Sequence, residues 1–384
     1  MKKGIIRVCS CIGLAVLLIF NAVPAQAAED TAPFDVNAKS AVLMDWNTGT
    51  VLYAKNGDMA LPPASVTKVM TLLLIMEAID SGNLGLDEAV SVSEYAASMG
   101  GSQVYLEPGE TMQAEEMLKC VIIASAIDAA VALAEKVAGS EEAFVARMNE
   151  RAAELGMNNT HFENVTGLDD DTTNHMTSAY DIALMSRELL NHPKILEYSG
   201  IWMDTIRGGE FGLTNTNRLI RFYDGATGLK TGSTSRAKFC ISATACRDGL
   251  HLIAVIMGSD TRDTRNEAAK TLLDWGFANY SVYEQEGGEA GTAAVIRGVQ
   301  NTCRGVTQKF STLLPKGKQK NVTAEYILYE NISAPVHKGD TIGIVRYHLE
   351  DSVLTEIPIT ADEDVEEIGF WELFLRMFGI YLMK

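Results

Sequence analysis

The sequence predicts an α+β fold, followed by a small all-β domain and a terminal amphipathic helix. Three observations predict it. Strand patterns flank a helical middle, the pattern changes to short alternating β segments near residue 283, and the C-terminus is apolar and aromatic. Residues 40–55, "SAVLMDWNTGTVLYAK", read as two short strands joined at "NTG". After "LPPAS", the run "SVTKVMTLLLIMEAID" keeps helical spacing until Ser81-Gly82-Asn83 ends it. Helical patterns recur over 113–138, 141–155 and 178–191. "KFCISATACRDGLHLIAVIMG" (238–258) gives two strands around "CRDG", and "TRNEAAKTLLDWGFANY" (264–280) gives a helix. Strands at both ends with helices between them do not make a regular βαβα repeat. "EGGEAG" reads as a linker, and "TAAVIRG" to "LTEIPIT" as short strands with Gly and Pro turns. The expected organisation is a segment 1–27 that is removed, a domain 34–282, a β domain 283–362 and a helix 363–384.

The two ends place the protein. Lys2, Lys3 and Arg7 precede the apolar "VCSCIGLAVLLIF", and Pro24 leads to Ala25-Gln26-Ala27, a small-x-small cleavage pattern. This is the layout of a secretory signal, so the mature chain is expected to work outside the cytoplasm. In "EEIGFWELFLRMFGIYLMK" (366–384), Trp371, Phe374, Phe378 and Tyr381 join Leu, Ile and Met, while Glu372 and Arg376 share one narrow polar face. Such a stretch is too short and charged to span a bilayer but suits a helix lying in the membrane interface. The formal net charge of −18 becomes about −21 once the three signal cations are gone. No basic stripe is present for nucleic acid, and charge will not draw the protein to anionic lipid, so attachment must be hydrophobic. Outside the signal, Cys120, Cys240, Cys246 and Cys303 are scattered, with neither disulfide-scaffold density nor zinc-ligand spacing, and read as small buried hydrophobes. The six histidines are dispersed, so no metal site and no cofactor are expected; His175 reads as a hydrogen-bonding residue near the site.

The strongest chemical signal is "PPASVTKVMT". Ser65 opens a helix and Lys68 lies three residues on, on the same face. A serine at a helix start is ordinarily an N-cap and a lysine there a solvated residue. Here the helix is apolar nearly all round, so Lys68 is expected to be buried, with the ammonium form disfavoured. A neutral amine beside a Ser hydroxyl is a general base that needs no histidine. A second signal is "GATGLKTGST" (225–234), in which Lys230-Thr231-Gly232 leads through Ser233 and Thr234 into a strand. A cation, hydroxyls and a close-approach Gly on a sheet edge can hold a carboxylate-bearing peptide as an added strand. The third is "ASAIDAAVALAE" (124–135), a helical run that looks like core filler apart from Ser125, Asp128 and Glu135.

The order Ser-x-x-Lys, helical Ser-x-x, Lys-Thr-Gly resembles that of the penicillin-recognising serine enzymes. Through "AVLMDWNTGTVLYAKN", "LPPASVTKVMTLLLIMEAID", "GGSQVYLEPGE", "NTNRLIRFYDGATGLKTGST" and "LLDWGF" the chain resembles the D-alanyl-D-alanine carboxypeptidases, the low-molecular-mass penicillin-binding proteins. The resemblance implies a β-lactamase/DD-peptidase-like antiparallel sheet flanked by helices. It also implies a hydrolase at the outer face of the bacterial cytoplasmic membrane, trimming peptidoglycan stem peptides that end in D-Ala-D-Ala and acylated by β-lactam antibiotics. Ser65 would be the nucleophile, Lys68 its base and Ser125 a hydroxyl passing a proton toward the leaving D-alanine. Lys230 would support that network. Thr231 and Thr234, with Arg265 (or the neighbouring Arg262), would hold the terminal carboxylate. The backbone N–H groups of Ser65 and Ser233 would hold the oxyanion.

One position departs. The family's second motif is Ser-x-Asn, and this chain reads Ser125-Ala126-Ile127. Isoleucine offers no donor or acceptor, and its branched side chain is expected to crowd the cleft. Losing one such contact to a transition state costs ~2–4 kcal/mol, or ~10²–10³ in rate. The expectation is a slow or altered hydrolase. A peptidoglycan-binding pseudoenzyme is the alternative, against which intact Ser65 and Lys68 stand. A β-lactamase is a further rival, disfavoured by "HFENVTGLDD", the added β domain and the terminal helix.

Overall fold

The computed structural model describes residues 34–382; the expected signal segment, with Cys9 and Cys11, lies outside the described residues. The chain opens with the antiparallel pair β1 (Ser40–Asp45) and β2 (Val51–Lys55), Leu43 opposite Tyr53. A short 3₁₀ turn, Ala64–Thr67, feeds α1 (Lys68–Asp80). The helices α2 (Ile127–Ala138), α3 (Glu141–Glu154) and α4 (Ala179–Leu189) follow. The chain then returns to the sheet as β3 (Ala226–Thr234), β4 (Lys238–Arg247) and β5 (Leu250–Ser259), and closes the domain with α5 (Arg262–Asn279). The five strands form one antiparallel sheet in the order β2-β1-β5-β4-β3. This α+β arrangement is the expected fold class.

Both faces of the sheet are covered, which is why β1 and β5 read as continuous apolar runs rather than alternating ones. Val42, Met44, Val255 and Met257 pack into the helical cluster of α1, α2 and α4. Leu43, Ala254 and Ile256 pack against Leu272 and Leu273 of α5. Every residue of α1 from Lys68 to Met76 is buried. Each large apolar side chain fully buried there contributes about 1.5–3 kcal/mol, enough to hold one lysine in a dry setting. The edge strand β3 is paired on one side only, by β4.

Two local expectations change. The helical pattern of 113–138 is not one helix: Ala114–Lys119 runs into a π turn at Cys120–Ala124, Ser125 adopts φ +64°, and α2 begins afresh. The N–H groups of Ser125 and Ala126 both donate to the Cys120 carbonyl, which closes the turn. Apolar residues continue on both sides of this break, so periodicity hides it. "EGGEAG" is only partly a linker, because Gly288–Ile296 is a strand paired with Thr302–Thr307. Tyr280–Gln285 already pairs with Phe310–Pro315, ahead of residue 283. The β region carries a six-stranded sheet around Cys303, Val345, Tyr347 and Ile359, and ends in α6 (Phe370–Leu382).

Candidate active site

The 3₁₀ turn brings Ser65 to the mouth of a cleft of about 190 Å³ lined by Ser65, Ser102, Ser125, Thr216, Thr231, Gly232, Ser233, Arg262 and Arg265. Lys68 Nζ lies 3.0 Å from Ser65 Oγ and donates to the Thr166 carbonyl at 3.1 Å. Its side chain has no solvent exposure. Burial, and then the charge of Lys230, hold its amine well below the usual lysine range, while Asp128 pulls the other way. The result is a lysine poised as a base next to a hydroxyl.

The turn itself is fastened from behind. Glu163 N–H donates to His175 Nδ1 at 2.9 Å, which leaves the proton on Nε2. Nε2 then donates to Thr67 Oγ1 (2.8 Å), and Thr67 Oγ1 to the Ala64 carbonyl (2.9 Å). Burial keeps His175 neutral by pushing it down to about 4. Gly167, at φ +81°, lies so close beneath that a Cβ would sit 1.8 Å from the Ala64 carbonyl oxygen.

The second corner is the break at Ser125, which is 4 % exposed and lines the cleft from a left-handed backbone conformation. Such a φ costs a non-glycine residue energy and persists only where its surroundings impose it. Asp128, in the first turn of α2, accepts the N–H groups of Val104 and Leu106 at 3.1 Å each. The Ile127 N–H donates to the Ser102 carbonyl at 2.8 Å. The Ile127 side chain does not crowd the cleft as expected. It is 2 % exposed, is absent from the lining, and packs beneath Gly101, where an added Cβ would lie 2.7 Å from its δ-methyl. Aliphatic bulk is drawn under the loop by the apolar contact available there, with Leu168 alongside.

The third side is the β3 edge. Gly232 approaches the Ser65 turn so tightly that a Cβ would stand 2.7 Å from the Ser65 nitrogen and 2.9 Å from the Pro63 carbonyl oxygen. Only glycine fits, and the contact sets Ser233 beside Ser65. Lys230 is buried, and desolvation, with the Arg265 charge, lowers it to about 7. Thr231 Oγ1 donates to Thr216 Oγ1 at 2.8 Å. Arg265 lines the cleft, braced by Asn266 Oδ1 and the Cys240 carbonyl. Thr234 is not brought in with them. Its hydroxyl donates to the Asp169 carboxylate and accepts the Ala237 N–H, while Ser233 and Arg262 line the cleft at that end. A β strand alternates its side chains, so adjacent hydroxyls cannot share a face.

The D-alanyl-D-alanine carboxypeptidase family matches residues 25–261, and the C-terminal domain of penicillin-binding protein 5 matches 277–367. The chain belongs to the D-alanyl-D-alanine carboxypeptidase family. It is 42% identical to the D-alanyl-D-alanine carboxypeptidase DacF of Bacillus subtilis over 97% of this chain and 98% of that one. It is 34% identical to DacC of Escherichia coli, over 97% of this chain and 94% of that one. Penicillin-binding protein 5 of Haemophilus influenzae superposes with a TM-score of 0.77 at 31% identity, over 88% of this chain and all of that one. This carboxypeptidase carries site elements that motif reading missed: Ser102, Thr216 and the Thr166 carbonyl. The segment "GGSQVYLEPGE" contains Ser102, but nothing in its local pattern marks a serine that reaches the cleft. Among the described residues, no three His, Cys, Asp or Glu gather as metal ligands.

Proposed function

We propose that this carboxypeptidase removes the terminal D-alanine of peptidoglycan stem peptides through an acyl-enzyme on Ser65. The observation that carries the reading is the 3.0 Å contact between Ser65 Oγ and the buried Lys68 amine. Neutral Lys68 accepts the Ser65 proton as Oγ attacks the carbonyl carbon of the penultimate D-alanine. The oxyanion is met by the Ser65 and Ser233 N–H groups on two rigid elements. The C–N bond then breaks, and the proton passes from Lys68 through Ser125 to the leaving amine. Water, deprotonated by Lys68, cleaves the ester and restores Ser65. Thr231 and Arg265 hold the substrate's carboxylate at the β3 end, with Lys230 supporting the proton network. The same acylation step applies to a β-lactam, whose ring carbonyl takes the peptide's place.

Labelling of the full chain with a fluorescent penicillin tests this, alongside D-alanine release from a D-Ala-D-Ala peptide. A wild-type adduct lost in Ser65→Ala is the expected result. An adduct with no D-alanine release favours the pseudoenzyme, and no Ser65-dependent adduct overturns the enzyme reading.

The cellular setting is part of the proposal: export, and residence at the outer face of the cytoplasmic membrane through 366–384. Phe370, Trp371, Leu375 and Met377 of α6 are each well exposed, which supports a hydrophobic face seeking lipid. No helix among the described residues is long and apolar enough to cross a membrane. Deleting 366–384 is expected to move the protein to the soluble fraction; persistent membrane association overturns the anchor.

A further inference from the structure

Ile127 removes an amide from the cleft, and the structure places a hydroxyl on the loop directly attached to it. Ser102 lines the cleft with Ser65 and Ser125, is exposed to solvent, and its Oγ makes no hydrogen bond within the described residues. Its backbone is the opposite of loose. The Ser102 carbonyl accepts the Ile127 N–H at 2.8 Å. Two residues on, the Asp128 carboxylate holds the Val104 N–H, and Arg207 donates to the Val104 and Tyr105 carbonyls at 2.9 and 3.1 Å. The Arg207 guanidinium is in turn fixed by Glu110 at 3.0 Å. The Ile127 side chain fills the space beneath Gly101, next to Ser102 in the chain. Apart from the Gln103 amide, which donates to the Met99 carbonyl, the constraints on the loop act on backbone or apolar atoms, and Ser102, the polar residue of the loop that lines the cleft, keeps its hydroxyl free to bond a ligand.

We propose that Ser102 is a further substrate-binding residue, whose hydroxyl hydrogen-bonds the backbone of the bound stem peptide and takes over part of the contact that Ile127 cannot make. The proposal rests on Ser65 being the nucleophile. A hydroxyl on a clamped loop is pre-oriented, so little side-chain entropy is lost when it binds. It can donate to a peptide carbonyl or accept from a peptide N–H, both of which an extended peptide lying along β3 presents to the helical side of the cleft.

The test is steady-state kinetics on a D-Ala-D-Ala peptide with the full chain. Ser102→Ala is expected to lower kcat/KM about 3- to 10-fold, the value of one neutral hydrogen bond. Ser102→Thr, which keeps the hydroxyl, restores most of the loss. In an Ile127→Asn background the Ser102→Ala loss shrinks to less than about 2-fold, because the two groups share one role. A Ser102→Ala enzyme equal to wild type overturns the proposal. So does a loss that Ser102→Thr does not rescue, or an equal loss in both backgrounds. Ser65→Ala is run beside them: if it still releases D-alanine, the nucleophile assignment fails, and this proposal with it. If Ile127→Asn does not fold, the Ala and Thr comparison at position 102 decides alone.

Discussion

Two turns bound the cleft, and they are built differently. At Ala64–Thr67 the functional groups are side chains held by other side chains: Lys68 against Ser65, His175 against Thr67. At Cys120–Ile127 the fastening is almost wholly backbone: N–H groups on the Cys120 carbonyl, the Ile127 N–H on Ser102, and one carboxylate on two further N–H groups. The first turn therefore loses its chemistry when one side chain changes. The second tolerates an isoleucine in the motif, because the shape of the corner never depended on the side chain at that position. Where backbone carries the geometry, a side chain can change without moving the corner.

The largest expected effect follows from that contrast. Lys68→Met removes the base while keeping bulk, and D-alanine release should fall by ~10³–10⁴, the upper range for general base catalysis. Ser125→Ala leaves the backbone corner intact and should cost nearer ~10². Rates for both, with penicillin acylation measured separately, check the contrast. Equal losses would mean that Ser125 and Lys68 act as a single proton-transfer unit and that the two turns do not differ in this way.

Next comes the pH dependence of the first turn. His175 is lowered to about 4 by burial, against an ordinary value of 6.5. The proton therefore prefers the unfolded chain, and the His175 contribution to stability is fully present above pH 6.5 and lost as pH falls through about 4. The loss amounts to about 3 kcal/mol, since each tenfold difference in proton affinity between the folded and unfolded chain is worth about 1.4 kcal/mol. Denaturant unfolding at pH 7.5 and 4.5 should show a steeper decline in wild type than in His175→Gln. Parallel declines would place the acid sensitivity elsewhere.

How far the sequence reached can be judged at the same two turns. Ser65, Lys68, Lys230 and Gly232 were legible, since contiguous motifs on regular elements fix their own spacing. The burial of Lys68 followed from an all-apolar helix. Ser125 was placed in the cleft through the family resemblance, but not the π turn that aims it, because a local φ of one residue leaves no trace in a periodicity. Thr234, expected beside Thr231, turns to Asp169 for a related reason: strand alternation fixes that neighbouring side chains diverge, but not which of the two faces the cleft. Ser102 and Thr166 were invisible, being brought in by loops that are anchored from partners far along the chain. Non-local backbone contacts are what sequence patterns record least.

The smallest effect tests the second turn most sharply. Ile127→Asn restores an amide, and loss of such a contact alone would be worth ~10²–10³ in rate. Two features of this corner reduce the expected gain to about 10-fold. Ser102 already bonds the substrate, so the new amide adds only the remainder. The asparagine must also leave the apolar seat beneath Gly101 or be buried there without a partner, which costs about 1–3 kcal/mol of stability. The expected outcome is therefore a carboxypeptidase with kcat/KM up about 10-fold and a lowered Tm, both read on the same preparation. A gain without loss of Tm would show that the isoleucine does nothing for the loop. A loss of Tm with no gain would show that the corner presents its loop, and not the motif side chain, to the substrate.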